Sequence, residues 1–499
     1  MTKKAIRTTA FLLALTMILG AFVSCKKVEK HSGSDSSSVK ESSTVSTDST
    51  KSEGSMLLEG TYDATSKTSS KRSATTSRSR ANWTIASVPK INENPEDKKA
   101  VLPKLDIKNK KISVCIDWDP KVTWVQRWLI AMEHYYPGMT VEWKIAVPEQ
   151  KASKLALWKS ANTSPDLIIL KPEESWPTLV NQGLLMPVDK YLDMDTAFWG
   201  SVRETNEGLK IGGKQHIMMT SSQPWCHVIY KKDLFTSKKM EDPSSLLFKN
   251  KWTWDKLEEY AKALTRPNAS DPSKSIYGLH VSSGGNFAAT VGKDFCEYDT
   301  VNKKWVSNLR DPKVTEAMNF LASLGPMGKK YAPVDIDINE ALQMFRTDRI
   351  GMLLTHDSIG LHFTDPKEAE MLMSVPYPRY PRSSTYYYPA QITAWGIPQG
   401  AKNPVGALAL VFTSRALHLQ IDTKAIDFGK YETTESKYMY DVQNYFETIA
   451  TPVVMHTRRL VNLYPVQEGF WTPGFYEGTS WSVTVAQQEP IMLEELKKY

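Results

Sequence analysis

The stretch that decides the fold begins with KISVCI (111–116) and ends with PDLIIL (165–170). Both segments are rich in β-branched and aliphatic residues and have the length of a strand. Between them, residues 122–136 show the helical spacing of apolar side chains, residues 139–147 a second strand pattern and residues 150–160 a second helix pattern. Strand, helix, strand, helix and strand in succession predict parallel pairing through right-handed crossovers, and therefore an α/β fold.

The carboxyl ends of these strands are where a ligand is expected, because open parallel sheets bind ligands just beyond the ends of their strands. The loop at residues 117–119 follows the first strand, and the loop at residues 171–176 follows the third. Each loop contains a tryptophan and carboxylates, so each is a candidate part of a binding site.

The amino-terminal segment has the pattern of a secretory signal. Three basic residues precede an apolar run at residues 10–23, which is shorter than the roughly 20 residues of a membrane-spanning helix. The run ends in FVSC (22–25), which resembles the lipobox of bacterial lipoproteins. We therefore expect residues 1–24 to be a lipoprotein signal peptide and Cys25 to be lipidated, with ordinary secretion as the alternative. A lipid on Cys25 would hold the protein at the extracytoplasmic face of the cell membrane.

A segment dominated by Ser, Thr and Lys follows this cysteine, from residue 26 to about residue 80. It contains few aliphatic residues and one aromatic residue, so it cannot bury enough apolar surface to offset the entropy of ordering. We expect residues 25–107 to form a disordered tether that starts at the lipidated cysteine.

The body that remains after the leader and tether has roughly 400 residues, which is too long for one ordinary hydrophobic core and favours two lobes. The formal net charge of the chain is +7, and the leader and tether supply a good part of it, so no nucleic-acid partner is expected. The body contains Cys115, Cys226 and Cys296, an odd number without metal-ligand spacing. Their apolar neighbours predict buried free thiols, and no metal or other cofactor is implied.

Five segments in order along the chain resemble family 1 extracellular solute-binding proteins, the receptors of sugar-importing ABC transporters. The segments are PDLIILKPEESWPTLVNQGLLMPVDKYLD (165–193), VIYKKDLF (228–235), KWTWDKLEEYAKALT (251–265), ALQMFRTDRIGMLL (341–354) and TAWGIPQGAKNPVGALAL (393–410). No single segment is specific, but the five together extend the resemblance over roughly residues 108–495.

The resemblance implies a two-lobe, periplasmic-binding-protein-like fold in which each lobe is a mostly parallel sheet flanked by helices. The chain is expected to cross between the lobes three times, near Trp225, Asn339 and Pro389, and the crossings form a hinge. The expected assignment is 108–224 and 340–389 to lobe 1, and 225–339 and 390–499 to lobe 2.

A sugar site needs aromatic faces together with planar hydrogen-bonding groups, and such residues occur in the predicted loops and near the crossings. The loops of Trp118, Glu173, Asp357 and Trp395 match the family's ligand-facing positions. For each of them the alternative is packing or a solvated face, and the two tryptophans of KWTW (251–254) are expected to pack. The candidate ligand-binding residues are Trp118, Asp119, Glu173, Glu174, Trp225, Asn286, Phe287, His356, Asp357, Trp395 and Trp481.

The resemblance therefore implies a monomeric lipoprotein that captures a carbohydrate, in particular an oligosaccharide, and delivers it to the permease subunits of an ABC importer. A secreted carbohydrate hydrolase is one alternative, because Asp117 with Asp119 or Glu173 with Glu174 could serve as its carboxylate pair. The chain lacks the common serine-hydrolase, metalloprotease and phosphate-loop motifs, so no catalysis is expected. A binding subunit of a surface sensor is the other alternative.

Overall fold

The computed structural model describes residues 87–89, 97–170, 176–299, 301–334, 336–356, 371–429, 437–455 and 464–497. The predicted signal peptide, Cys25 and most of the predicted tether lie outside the described residues, as do Glu173, Glu174 and Asp357.

Twelve strands occur in the described residues. They are β1 (Lys111–Ile116), β2 (Thr140–Ile145), β3 (Leu167–Leu170), β4 (Ile217–Pro224), β5 (Cys226–Lys231), β6 (Tyr277–Val281), β7 (Cys296–Asp299), β8 (Lys304–Ser307), β9 (Ile350–His356), β10 (Leu372–Pro376), β11 (Tyr386–Gly396) and β12 (Ala450–Val454).

The same residues form thirteen α-helices. They are α1 (Thr123–Tyr135), α2 (Pro148–Ser160), α3 (Trp176–Asn181), α4 (Arg203–Gly208), α5 (Lys232–Ser237), α6 (Pro243–Phe248), α7 (Trp254–Leu264), α8 (Pro312–Leu324), α9 (Ile338–Arg346), α10 (Pro404–His418), α11 (Lys437–Ile449), α12 (Tyr464–Thr472) and α13 (Trp481–Leu496).

The first sheet has the order β12-β11-β3-β1-β2, and β4 pairs with β11. β1 lies between β2 and β3 and is parallel to both, as the strand and helix succession predicts. Every residue of β3 is buried, so its run of four aliphatic residues marks a strand covered on both faces. β11 is antiparallel to β3 and to β4. We call the part of the chain built on this sheet the first lobe.

The second sheet has the order β10-β5-β9-β6. β5 is antiparallel to β9 and β10, whereas β6 is parallel to β9, so β6 and β9 end at the same edge. β7 and β8 form a separate antiparallel hairpin. We call the part built on the second sheet, with this hairpin, the second lobe. The α/β class and the two-lobe architecture are confirmed, but the second sheet is mostly antiparallel, not mostly parallel as expected, because β5 runs against both of its neighbours.

The strand pairing corrects the expected distribution of the chain between the lobes. β9 and β10 hydrogen-bond to β5 in the second sheet, although residues 340–389 were assigned to lobe 1. β11 and β12 belong to the first sheet, although residues 390–499 were assigned to lobe 2. The chain changes sheet at Trp225, between β4 and β5, and again between β10 and β11. The second change of sheet lies just before Pro389, near where a crossing was expected, whereas Asn339 lies inside α9, which packs against β9 of the second sheet, and marks no crossing.

The carboxyl-terminal helices return to the second lobe. α12 packs against the short helix Gly284–Val291, and α13 packs against β8 and α8. α11 lies at the junction, where it packs against β10 of the second sheet and against β4 and β12 of the first.

Aromatic packing holds the second lobe together, as predicted for the helix that follows KWTW. Trp252 and Trp254 are buried, and α7 buries Leu257, Tyr260, Ala261 and Leu264 along one face. Thr253 occupies the cap position of α7 but makes no side-chain capping hydrogen bond.

A buried arginine, Arg415, links Asp97, near the start of the described residues, to the first lobe. Arg415 on α10 donates to the carbonyls of Phe198 and Thr220 at 2.9 and 3.1 Å, and to Ser201 Oγ at 2.8 Å. Its Nη2 also lies 3.4 Å from Oδ1 of Asp97. Burial lowers the pKa of Arg415 to about 10, which leaves the guanidinium charged near neutral pH. Asp97 belongs to the predicted tether of residues 25–107, and Leu102 and Leu105 pack against the core, so the last part of that segment is part of the first lobe and the expected tether boundary is corrected.

The three body cysteines are buried, as expected, and the described residues contain no disulfide. Within the described part of the chain, no helix is both long enough and apolar enough to span a membrane.

Candidate functional site

Trp225 lies where the two sheets meet, between the end of β4 in the first sheet and the start of β5 in the second. β4 runs in the same direction as β3; its Met219 is level with Leu170 at the end of β3, and it continues five residues further to Pro224, on the side of the carboxyl ends of the parallel strands. Trp225 alone separates β4 from β5, whose first residue, Cys226, is paired with His356 at the end of β9. Trp225 therefore lies between the carboxyl-end edges of the two sheets, which is where an open α/β sheet binds ligands.

Trp225 and His356 form an aromatic pair at this junction. Their rings are stacked, with centroids 5.6 Å apart and planes 20° apart, and both side chains are partly buried. The backbone N–H of Trp225 donates to the carbonyl of Pro389 on β11 at 2.8 Å, so the crossing is tied to the first sheet. These two sequence candidates are brought together.

Next to this pair, the ring of His227 on β5 contacts the end of β4 and the neighbouring strand β10. One ring nitrogen lies 3.2 Å from the carbonyl of Pro224, and the other lies 3.1 Å from Ser374 Oγ on β10. Burial lowers the pKa of His227 to about 4, so the imidazole is neutral near pH 7. The junction thus offers a neutral ring rather than a cation.

Small polar residues follow the ends of β6 and β9. Ser282 donates its N–H to the carbonyl of Leu354 at 3.0 Å and its hydroxyl to Thr355 Oγ1 at 2.9 Å, which joins the two strand ends. Asn286, in the first turn of the following short helix, is 3% exposed. Its Oδ1 has no hydrogen-bond partner among the residues that the structure describes. A buried amide oxygen without a partner costs free energy unless a water or a ligand hydroxyl donates to it.

Gly284, two residues before this asparagine, is the first glycine of SSGG (282–285), and its surroundings require a glycine. A β-carbon on Gly284 would overlap the indole ring of Trp471 on α12, so only glycine lets the ring approach. Trp471 itself is buried, and its Nε1 donates to Glu468 Oε2 at 2.9 Å. Sequence reasoning missed Trp471, although a glycine pair after a strand signals a close approach of this kind.

On the first lobe, Trp118 begins a row of four indole rings. Its ring centroid lies 4.4 Å from that of Trp124, which lies 4.8 Å from Trp128, which lies 5.0 Å from Trp395. The first three are partly buried and the last is fully buried, so the row leads from the strand end into the core. Sequence reasoning missed Trp124 as a neighbour of the site, although its spacing of four residues from Trp128 places both on one face of α1.

The acidic candidate beside Trp118 has a local role. Asp119 is exposed, and its Oδ1 accepts the backbone N–H of Lys121 at 2.9 Å, which shapes the turn into α1. Lys151 at the start of α2 is almost fully buried and donates to the carbonyl of Ile169, near the end of β3, at 3.0 Å. This buried lysine was not among the candidates, because its position on a charged helix gives no sign of burial.

Three predicted ligand-binding residues are core residues in the structure. Trp395 is 0% exposed, because β11 is flanked by β3 and β4 and its ring packs against Trp128. Phe287 packs among the rings of Trp254, Phe320 and Tyr377. Trp481 donates its Nε1 to the carbonyl of Leu309 at 3.1 Å and packs near Phe295.

A separate cavity of about 380 Å³ opens beside the second crossing and contains none of the sequence candidates. Its lining includes Lys313, Glu316, Tyr380, Arg382 and Tyr387. In the described parts of the chain, no three His, Cys, Asp or Glu side chains are grouped so that they could hold a metal ion.

Comparison with known proteins agrees with this architecture. The sequence profile of the family described as "Bacterial extracellular solute-binding protein" matches residues 132–416, more than half of the chain. The chain therefore belongs to this family of binding proteins. No curated protein matches the chain by sequence.

This chain matches nearly the whole length of solved structures with the same fold. An ABC substrate-binding protein from Listeria monocytogenes, in complex with cycloalternan, is 17% identical with a TM-score of 0.52, over 77% of this chain and 98% of that one. A cyclo/maltodextrin-binding protein complexed with maltotetraose is 18% identical with a TM-score of 0.54, over 78% and 97%. The GacH receptor of Streptomyces glaucescens, solved unliganded and with acarbose, is 16% identical with a TM-score of 0.51, over 78% and 99%.

Proposed function

We propose that this protein captures a carbohydrate between its two lobes and delivers it to the membrane permease of an ABC importer. The observation that carries the proposal is the position of Trp225, stacked on His356 at the single residue that joins the facing edges of the two sheets. A ligand that contacts this pair touches both lobes, so its binding is coupled to their relative movement.

The chemistry of the junction favours an uncharged ligand with many hydroxyl groups. Trp225 and Trp118 supply aromatic faces, which suit the C–H faces of a sugar ring. His227 is neutral, and Asn286 has a buried oxygen that accepts no bond from the described residues. Three proteins with this fold are described with cycloalternan, maltotetraose and acarbose, which supports an oligosaccharide as the ligand class.

We infer that the protein binds without reaction and that the crossings act as a hinge. The closed form alone offers contacts from both lobes, so a ligand shifts the population toward closure. The site of a glycosidase would need two carboxyl groups about 5 to 10 Å apart around the bond to be cleaved. Of the four carboxylates considered for that role, Asp119 caps a turn at the surface, which does not favour it.

The test is a thermal-shift screen of the protein against mono- and oligosaccharides, beginning with maltotetraose and followed by calorimetry. A ligand at about 100 times its dissociation constant adds about 2.7 kcal/mol to the free energy of unfolding. Small-angle scattering should show a smaller radius of gyration with the saccharide, and chromatography should recover the saccharide intact. Failure of every saccharide to shift the transition would contradict the proposal, and release of shorter sugars would favour the hydrolase.

We also propose that the protein is a lipoprotein anchored through Cys25, with the Ser-, Thr- and Lys-rich segment from residue 26 to about residue 80 as its tether. The support is the order of basic residues, apolar run and FVSC in the sequence. Replacing Cys25 with Ala should release the protein from membranes or leave an uncleaved precursor, as measured by fractionation and mass spectrometry. The matched control is Cys115→Ala, a change at a buried body cysteine. Unchanged processing and membrane retention of Cys25→Ala would contradict the anchor.

A further inference from the structure

The β7–β8 hairpin of the second lobe reaches the first lobe, and its base is fixed to its own lobe. Ser307 Oγ and Arg310 Nε both donate to Glu489 on α13, at 2.9 and 2.7 Å. Asn308 Nδ2 donates to the carbonyl of Asp294 at 3.0 Å, which closes the base from the other side. A hairpin held at its base in this way moves with the second lobe.

One side chain of this hairpin crosses to the first lobe. The ring centroid of Tyr298 lies 6.3 Å from that of Trp176, edge to face, and Asn181 Nδ2 donates to Tyr298 Oη at 3.3 Å. Trp176 and Asn181 are the first and last residues of α3, so Tyr298 contacts both ends of one short helix. Trp176 is 2% exposed and Tyr298 is 8% exposed.

Two neighbours extend this contact along the hairpin. Trp305 on β8 packs edge to face on Tyr298 with a centroid distance of 5.2 Å, so the tyrosine is held between an indole of each lobe. Lys303, in the hairpin turn, lies over Gly212, and its Cε is 3.6 Å from where a β-carbon of Gly212 would be. Gly212 belongs to the turn that leads into β4 of the first sheet.

We propose that Tyr298 is a positioning residue that holds α3 of the first lobe against the hairpin of the second, and that this contact stabilises the closed arrangement without touching the ligand. The contact joins two lobes that the chain itself connects at Trp225, between β10 and β11, and again where the carboxyl-terminal helices return to the second lobe. A rotation about those crossings therefore separates Tyr298 from Trp176 and Asn181, while the contacts within each lobe persist. Free energy gained at this contact adds to ligand retention, because a ligand held between the lobes leaves after they open.

The claim that closure retains the ligand rests on the proposed function. The claim that Tyr298 holds the two lobes together does not. The first measurement is therefore made on the full-length protein without ligand. Hydrogen–deuterium exchange of the α3 peptide should become faster in Tyr298→Ala and in Asn181→Ala than in the parent protein. Small-angle scattering of Tyr298→Ala should show a larger radius of gyration.

The second measurement is the dissociation rate of the saccharide identified by the screen, with maltotetraose as the first probe. Tyr298→Phe keeps the ring and loses the hydroxyl, and should speed dissociation about 2- to 10-fold, the scale of one hydrogen bond. Tyr298→Ala should have the larger effect, with association rates less affected. The double variant Asn181→Ala/Tyr298→Phe should dissociate no faster than the worse single variant, because both changes remove the same bond.

The matched control is Tyr260→Phe, which removes a tyrosine hydroxyl that donates to the carbonyl of Glu241 at 2.7 Å inside the second lobe. It should leave α3 exchange, scattering and dissociation unchanged. Unchanged α3 exchange and unchanged radius of gyration in Tyr298→Ala would overturn the inference, whatever the ligand is. Should Tyr298→Ala fail to fold, the exchange of α3 in Tyr298→Phe and Asn181→Ala decides instead. Faster exchange with no saccharide bound by any variant would keep the contact and reject the proposed ligand class.

Discussion

Trp395 and Trp225 differ in how far the surrounding strands bury them. Trp395 lies within β11, flanked on both sides by strands, and is fully buried against Trp128. Trp225 lies just after β4 ends and is partly buried, with its ring stacked on that of His356. A residue within a central strand is covered by its neighbouring strands, whereas a residue that joins two sheets is covered only in part. Four changes test this difference.

The largest effect is expected for Trp395→Ala. The change removes a buried indole from the first-lobe core and should lower the free energy of unfolding by about 3 to 5 kcal/mol. Denaturant unfolding of the protein measures this loss, and Trp395→Phe should recover part of it. A normal unfolding midpoint together with weakened saccharide binding would show that Trp395 faces the ligand instead.

Trp225→Ala should behave in the opposite way. It removes an aromatic face from the junction and should weaken saccharide binding by about 1 to 3 kcal/mol, with a smaller effect on unfolding. Calorimetry with the saccharide from the screen measures the affinity. The control is Trp158→Ala, because Trp158 is also partly buried but lies near the carboxyl-terminal end of α2. Equal affinity losses in the two variants would remove Trp225 from the site.

The pH dependence of stability reports whether the carboxyl group of Glu447, on α11 at the junction of the sheets, is buried from water. Burial raises the pKa of Glu447 to about 7, against an ordinary value of 4.5, and a hydrogen bond from Gln443 opposes the rise only in part. The folded state then keeps a proton that the unfolded state releases, so the free energy of unfolding should fall as pH rises from about 4.5 to about 7. Glu447→Gln should flatten this part of the profile, as measured by denaturant unfolding at several pH values. An identical profile in both proteins would mean that water reaches the carboxyl group.

The smallest effect is expected for Asn286→Ala. Its buried Oδ1 has no partner among the described residues, so the change should alter the free energy of unfolding little. If a ligand hydroxyl donates to this oxygen, saccharide binding should weaken by about 0.5 to 1.5 kcal/mol. The control is Asn308→Ala, since Asn308 is also buried but bonds within the hairpin base. Unchanged affinity in Asn286→Ala would assign the oxygen to a water.

The fold class could be predicted because its signal is local. The parallel arrangement of β1, β2 and β3 follows from strand and helix patterns within sixty residues of one another, and KWTW was interpreted correctly as packing. The candidate site was predicted only in part. Trp225 and His356 were both selected, but nothing in their separate loops indicates that their rings stack.

The sequence by itself determined the first three strands, the α/β class and the buried cysteines, because each depends on residue types at short spacing, and five ordered segments indicated the family. The tertiary structure decided which sheet β9, β10 and β11 join, and therefore where the chain crosses between the lobes. It also decided that Trp395, Phe287 and Trp481 are covered and that Tyr298 reaches Trp176. The reason is that burial and contact depend on which distant segments are brought together, and an aromatic residue has the same local pattern whether a neighbouring strand or a ligand covers its ring.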